Sequence, residues 1–207
     1  MCIIAIPNLP ITDFDAWGQF LKNMVKNNPD GNGVIYELKN GELWWNKNMS
    51  INDIKDVMVM RNLSRLYIHC RAASHGIINK KMMHPFLISP DRDISTQSGQ
   101  LQKGEALLMQ NGIFSTLPTH KVKSDTAIMC EAIKAYTPYI ESAEKLVTFL
   151  MKISPASKFV AASPIDGIWR TTNFIKSEYG MFSNNTHIKP KERYVGMALK
   201  DIGFCYS

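Results

Sequence analysis

The 207-residue sequence has no run of about 18 apolar residues, so nothing in it reads as a membrane-crossing helix. Cysteine is scarce: Cys2, Cys70, Cys130 and Cys205 are widely spaced and form no CxxC pair. That excludes a disulfide-dense scaffold and a CxxC-type zinc site, and it points to a reducing cytoplasm. The first residues lack a basic flank, an apolar core and a small-residue cleavage site, so the protein is expected to stay unexported. Internal repeats and low-complexity tracts are missing as well. So are zinc-finger, helix-turn-helix and RNP-like signatures of nucleic-acid binding.

What is present fits one domain. With 45% apolar residues, a chain of this length can bury a substantial core. The net charge is +6 and the pI about 9.1, which favours encounter with anions. The basic residues nevertheless fall in small groups, Lys80 with Lys81, Lys121 with Lys123, and those in residues 189–193, and read mainly as solvated surface. Nucleic acid is therefore a secondary candidate, and no membrane partner is expected.

Cys2-Ile3-Ile4-Ala5-Ile6 is apolar, rich in β-branched residues and stopped by Pro7, which predicts a buried strand with Cys2 on its first rung. Phe14, Trp17, Leu21, Met24 and Val25 recur at helical spacing before the breaking stretch Asn28-Pro29-Asp30-Gly31. Asn40-Gly41 predicts a tight hairpin joining strands at 34–38 and 43–45. Ser50 is placed to cap a helix with Ile54, Val57 and Met58 on its inner face, and a strand over 66–71 ends at Arg71. Further strands are predicted at 85–88, 106–110, 158–162 and 167–171. Two helices precede the last pair, one from Ser124 with Met129, Ala132, Ile133 and Tyr136 on one face. The other carries Ala143, Leu146, Val147, Leu150 and Met151. This order defines an α+β class and leaves the stacking of the sheets open. Residues 76–103 read either as a lid over a site or as a surface excursion.

Four places could carry chemistry. Once Met1 is removed, Cys2 supplies a thiol and a free α-amine, and that amine can serve as general base for its own side chain. Its reference pKa of about 7.7 to 8 leaves a useful unprotonated fraction near neutral pH. The plain alternative is an inert cysteine on a core strand. Next, residues 69–76 run from a strand into a turn and offer Arg71, Ser74 and His75 to a carboxylate, which Arg grips through paired hydrogen bonds. A structural ion pair and a polar turn would explain the same residues. Asn111-Gly112 is most simply a hairpin turn, yet the Asn111 carboxamide and the Gly112 N–H can also act as two oxyanion donors. Ser124-Asp125 opens a helix, either as cap and acidic first-turn residue or with Asp125 binding an α-ammonium group.

Taken in order, these motifs resemble the class II glutamine amidotransferases of the N-terminal nucleophile hydrolase superfamily. The resemblance rests on Cys2 after Met1, Asp-Gly-x-Gly at residues 30–33, Arg-x-x-Ser-His-Gly at 71–76, Asn111-Gly112 and Ser124-Asp125. His84-Pro85-Phe86 and Met181-Phe182-Ser183-Asn184 are less diagnostic companions. Ala72 stands where some members carry Trp, and Gln110 where His is frequent. The resemblance implies a four-layer αββα sandwich and a glutaminase without cofactor or metal. In it Cys2 attacks the glutamine side-chain carbonyl to form a thioester, and Asn111 with Gly112 holds the oxyanion. Arg71, with Ser74 and His75, binds the substrate carboxylate, and Asp125 its α-ammonium group. The resemblance takes up most of the chain, so a separate ammonia-acceptor enzyme is the expected partner. Two readings compete with it: an amidohydrolase for a different amide, and a catalytically silent binding or structural protein on the same fold, of the stand-alone kind a phage encodes.

Overall fold

A computed structural model describes residues 2–73, 77–118, 120–136 and 141–185. The β-branched run at the start forms β1 (Ile3–Pro7), buried along its whole length. Helix α1 (Phe14–Asn27) starts where the Asp13 carboxylate accepts the Ala16 N–H. β2 (Asn32–Leu38) and β3 (Leu43–Lys47) form the predicted hairpin, with Gly41 at φ +85° in its turn. A capping box of Ser50 and Asp53 opens α2 (Ile51–Met58). Then come β4 (Leu63–Cys70), β5 (Phe86–Ile88), β6 (Ser98–Gln100), β7 (Ala106–Asn111), α3 (Asp125–Ile133) and α4 (Ala143–Ile153). β8 (Lys158–Ser163), β9 (Gly167–Arg170), β10 (Ile175–Ser177) and β11 (Gly180–Phe182) complete the described elements.

The strands make two antiparallel sheets, one of seven strands in the order β10-β11-β1-β4-β2-β3-β6 and one of four in the order β5-β7-β8-β9. Alternation along each strand then sorts the apolar side chains into three clusters. Ile3, Ala5, Val34, Leu66 and Ile68 pack with Trp17, Leu21 and Met24 of α1 and Ile54 and Val57 of α2. Ile4, Ile6, Ile35 and Trp45 of the large sheet meet Leu87, Leu107, Met109 and Val160 of the small one. On its other face the small sheet packs Phe86, Leu108 and Phe159 against Met129 and Ile133 of α3 and Leu146 and Leu150 of α4. The fold is thus mixed α+β, with helices against the outer face of each sheet and the two sheets against each other.

Several expectations change in detail. Cys2 lies just before β1 rather than on its first rung, and Arg71 just after β4. Residues 76–103 are less irregular than they read, because from Ile77 onward they hold a 3-10 turn (Lys80–Met82), β5 and β6. The inner face of α3 is Thr126, Met129, Cys130 and Ile133, a spacing that turns Ala132 outward. Tyr136 lies beyond the helix and is 60% exposed. Met151 sits at the edge of the α4 stripe of Ala143, Leu146, Val147 and Leu150, and is exposed. Among the described residues no helix is long and apolar enough to cross a membrane.

Candidate active site

The pairing of β1 with β4 sets Ile3 opposite Cys70, and continuing that register brings Cys2 beside Arg71. Cys2 is partly buried, its Sγ 3.6 Å from the Ala72 carbonyl oxygen, and its own carbonyl accepts from Asn184 Nδ2 at 2.8 Å. Burial pushes the Cys2 thiol up; the Arg71 charge acts against that shift and the Asp125 charge adds to it. Cys70 and Cys130 are buried outright, and burial drives both thiols far up. Of the described cysteines, Cys2 is therefore the one that is not fully buried.

Arg71 is only 2% exposed. Its backbone is fixed from both sides by the turn between α1 and β2: Arg71 N donates to Gly31 O at 2.8 Å, and Asp30 N donates to Arg71 O at 3.0 Å. The Asp30 carboxylate also accepts the Ala73 N–H at 2.7 Å. The Asp-Gly-x-Gly loop thus holds the exit of β4 in place. Arg71 Nη1 donates to the Ile77 carbonyl at 3.3 Å, and the charges of Asp30 and Asp125 both reach the guanidinium. Ser74 and His75 lie outside the described residues.

Asn111 and Gly112 do not turn a hairpin. β7 ends at Asn111, and its partner β8 begins only at Lys158, after two helices. Gly112 has φ +156°, and a Cβ there would come within 1.9 Å of Ser157 Oγ, so only glycine fits. The Asn111 side chain is 7% exposed, with Nδ2 2.8 Å from Ser183 Oγ. Ser183 Oγ also accepts the Ile4 N–H at 2.8 Å, which ties the end of β7 to the strand that follows Cys2.

Asp125 is the first residue of α3, behind its Ser124 cap. Its Oδ2 accepts the Phe114 N–H at 2.7 Å and its Oδ1 the Thr126 N–H at 2.8 Å. A carboxylate has about four acceptor positions, so these bonds hold the loop after Gly112 and still leave room for an ammonium donor.

Gln110 joins these parts. Its Oε1 accepts from Thr126 Oγ1 at 2.7 Å, and its Nε2 donates to Ser157 Oγ at 3.2 Å. Ser157 Oγ is 2.7 Å from Ser154 Oγ, which donates to the Ile113 carbonyl at 3.1 Å. The Gln110 carbonyl is 3.0 Å from His69 Nε2 on β4. A carbonyl only accepts, so His69 carries its proton on Nε2. Burial lowers His69 to about pKa 4, and His84, its rings 4.1 Å away between centroids, well below the usual histidine range. Both are neutral at pH 7, structural links rather than proton carriers. Motif reading did not assign roles to Gln110, Thr126, Ser157 or Ser183, since single polar residues carry no spacing signal. The visible hints were the Gln before Asn-Gly and the stretch Met181-Phe182-Ser183-Asn184.

The residue just before β1, the exits of β4 and β7 and the first turn of α3 thus meet at one end of the two sheets, carrying Cys2, Arg71, Asn111-Gly112 and Asp125. Among the described residues no group of three or more His, Cys, Asp and Glu side chains is placed to hold a metal ion. No family model matches the chain, and no curated protein matches it.

Proposed function

We propose that this protein is a glutaminase of the class II glutamine amidotransferase type, on an N-terminal nucleophile αββα sandwich, with Cys2 as nucleophile. One observation carries the reading: four separate chain segments converge on one point, and each brings the group that glutamine hydrolysis needs. Burial pushes the Cys2 thiol above its ordinary value, which calls for a local base to take its proton. The α-amine freed by loss of Met1 is that base. The sulfur attacks the side-chain carbonyl carbon, and the oxyanion is held by the Asn111 carboxamide and the Gly112 N–H. When the carbon–nitrogen bond breaks, the ammonium returns the proton to the leaving nitrogen and ammonia departs. Water, deprotonated by the same amine, then attacks the thioester to give glutamate and regenerate the thiol. Arg71 pairs with the α-carboxylate and Asp125 with the α-ammonium, which selects a free amino acid over a peptide amide. The ammonia passes to a separate acceptor enzyme in the cytoplasm.

The test is intact-mass analysis after incubation with a reactive glutamine analogue, alongside ammonia release from glutamine. Loss of Met1 and one adduct on Cys2, absent in Cys2→Ala, are expected. A natively processed chain with a free Cys2 amine that neither reacts nor releases ammonia would refute the reading. Competition by other amides separates it from an amidohydrolase of different specificity.

A further inference from the structure

Ser183 follows β11 and is completely buried. Its backbone N–H donates to the Ile4 carbonyl at 2.8 Å while its Oγ accepts the Ile4 N–H at 2.8 Å, so it closes β1 two residues from Cys2. The same Oγ lies 2.8 Å from Asn111 Nδ2, a bond from the large sheet to the end of a strand in the small one. Among the described residues, Ser183 is the one side chain hydrogen-bonded to the Asn111 carboxamide. Asn111 Oδ1 is buried with no hydrogen-bond partner among the described residues.

That pattern is asymmetric in a telling way. With the Ile4 N–H and Nδ2 both donating to Oγ, the described residues leave the serine's own proton without an acceptor and the amide oxygen without a donor. A half-turn of the carboxamide, which scarcely changes its outline, resolves both. The Ser183 hydroxyl then donates to Oδ1 while still accepting from Ile4, and Nδ2 takes the buried place that Oδ1 leaves, where the described residues give its hydrogens no acceptor.

We propose that Ser183 is a positioning residue for the oxyanion site: its hydroxyl holds Asn111 by Oδ1 and so presents Nδ2 to the reacting carbonyl. This rests on the glutaminase reading above. Without the hydroxyl, Asn111 can turn its oxygen toward the oxyanion, which repels charge where donation is needed.

The experiment is a double-mutant cycle on the chain freed of Met1, read as steady-state ammonia release from glutamine. Asn111→Ala should lower kcat by about 10² to 10³-fold, as expected for an oxyanion donor. Ser183→Ala should lower it by roughly 10 to 100-fold with KM changed less than about threefold. The double variant should be no more than about twofold slower than Asn111→Ala, because Ser183 acts through Asn111. Alkylation of Cys2 by iodoacetamide, a displacement at saturated carbon that forms no oxyanion, should stay within about twofold of wild type in Ser183→Ala. Unchanged kcat in Ser183→Ala, multiplicative losses in the double variant, or an equal loss of alkylation would each overturn the role. If Ser183→Ala does not fold, Ser183→Cys, close in size but a weak donor, takes its place in the cycle with the same expectations. A wild-type chain that releases no ammonia removes the glutaminase reading and this role together. Normal turnover with an unaffected Ser183→Ala removes only the role.

Discussion

Acidification should destabilise this protein well before its carboxylates are neutralised, because His69 and His84 are buried without charge between the sheets. Both rings are nearly or wholly inaccessible. His69 Nδ1 and both nitrogens of His84 have no hydrogen-bond partner among the described residues. Burial is the first cause of the depression in each case; for His84 the nearby His69, Arg71 and Lys47 add to it. The sign follows from proton counting. Between the ordinary value of 6.5 and the folded value of about 4, His69 is protonated when the chain is unfolded and neutral when it is folded. The unfolded state binds more protons there, so stability falls as pH falls. By pH 4.5 the loss from His69 alone is roughly 2.5 kcal/mol, and His84 contributes a further loss of the same sign. That is a large share of the 5–15 kcal/mol typical of a folded domain. Urea unfolding followed by tryptophan fluorescence at pH 7, 6, 5.5, 5 and 4.5 measures it, and the slope should steepen below pH 6.5. His84→Leu, which removes the two unpartnered nitrogens, should flatten the slope over the same range. A stability constant from pH 6.5 to 5, or an undiminished slope in His84→Leu, would show that these rings are not held neutral.

Lys47 gives the opposite end of the pH scale: it is buried on β3, its Nζ donates to the Ile94 carbonyl at 2.7 Å, and burial lowers it to about pKa 8. The unfolded chain holds the extra proton between 8 and the ordinary 10.5, so stability should rise with pH across that window, and urea midpoints of Lys47→Met should lose this rise. Gly112→Ala sets a Cβ 2.5 Å from Ser157 Cβ at φ +156°, and should cost on the order of 2 kcal/mol or more of stability along with most ammonia release. Urea unfolding and turnover assayed on the same preparation check both, and wild-type values would contradict the close approach. Arg71→Lys keeps the charge but loses the planar fork, so KM for glutamine should rise about 10-fold or more; an unchanged KM would remove Arg71 from substrate binding.

The elements legible in the sequence are those long enough to show a period or punctuated by a strong turn. The run Ile3 to Ile6, the helical spacing of Trp17, Leu21 and Met24, and Asn40-Gly41 each announce themselves locally. β6, with sequence Ser-Gly-Gln, and the three-residue β10 and β11 do not, since they are strands only because a neighbour supplies the ladder. The two Asn-Gly pairs make the same point about the site. Asn40-Gly41 joins strands that pair with each other, whereas Asn111-Gly112 leaves a strand whose next partner comes two helices later. Nothing within the dipeptide distinguishes them. Lys47 was hidden for a similar reason, because a lysine ordinarily signals solvent and only the packing of β3 over Phe86 takes it inside. The order of Arg71, Asn111 and Asp125 along the chain is visible without any knowledge of contact, whereas the bond from Ser183 to Asn111, 72 residues earlier, needed the structure.

β1 lies in the interior of its sheet, between β4 and β11. Its last partners are remote: Ser183 bonds Ile4 across 179 residues, and Asn184 bonds Cys2 across 182. Contacts of such separation form late, after the intervening chain has been laid down. The strand that follows Cys2 is therefore finished only when nearly all of the described chain has been made. A polypeptide broken off before residue 183 would hold Cys2 without the contacts that close β1 around it.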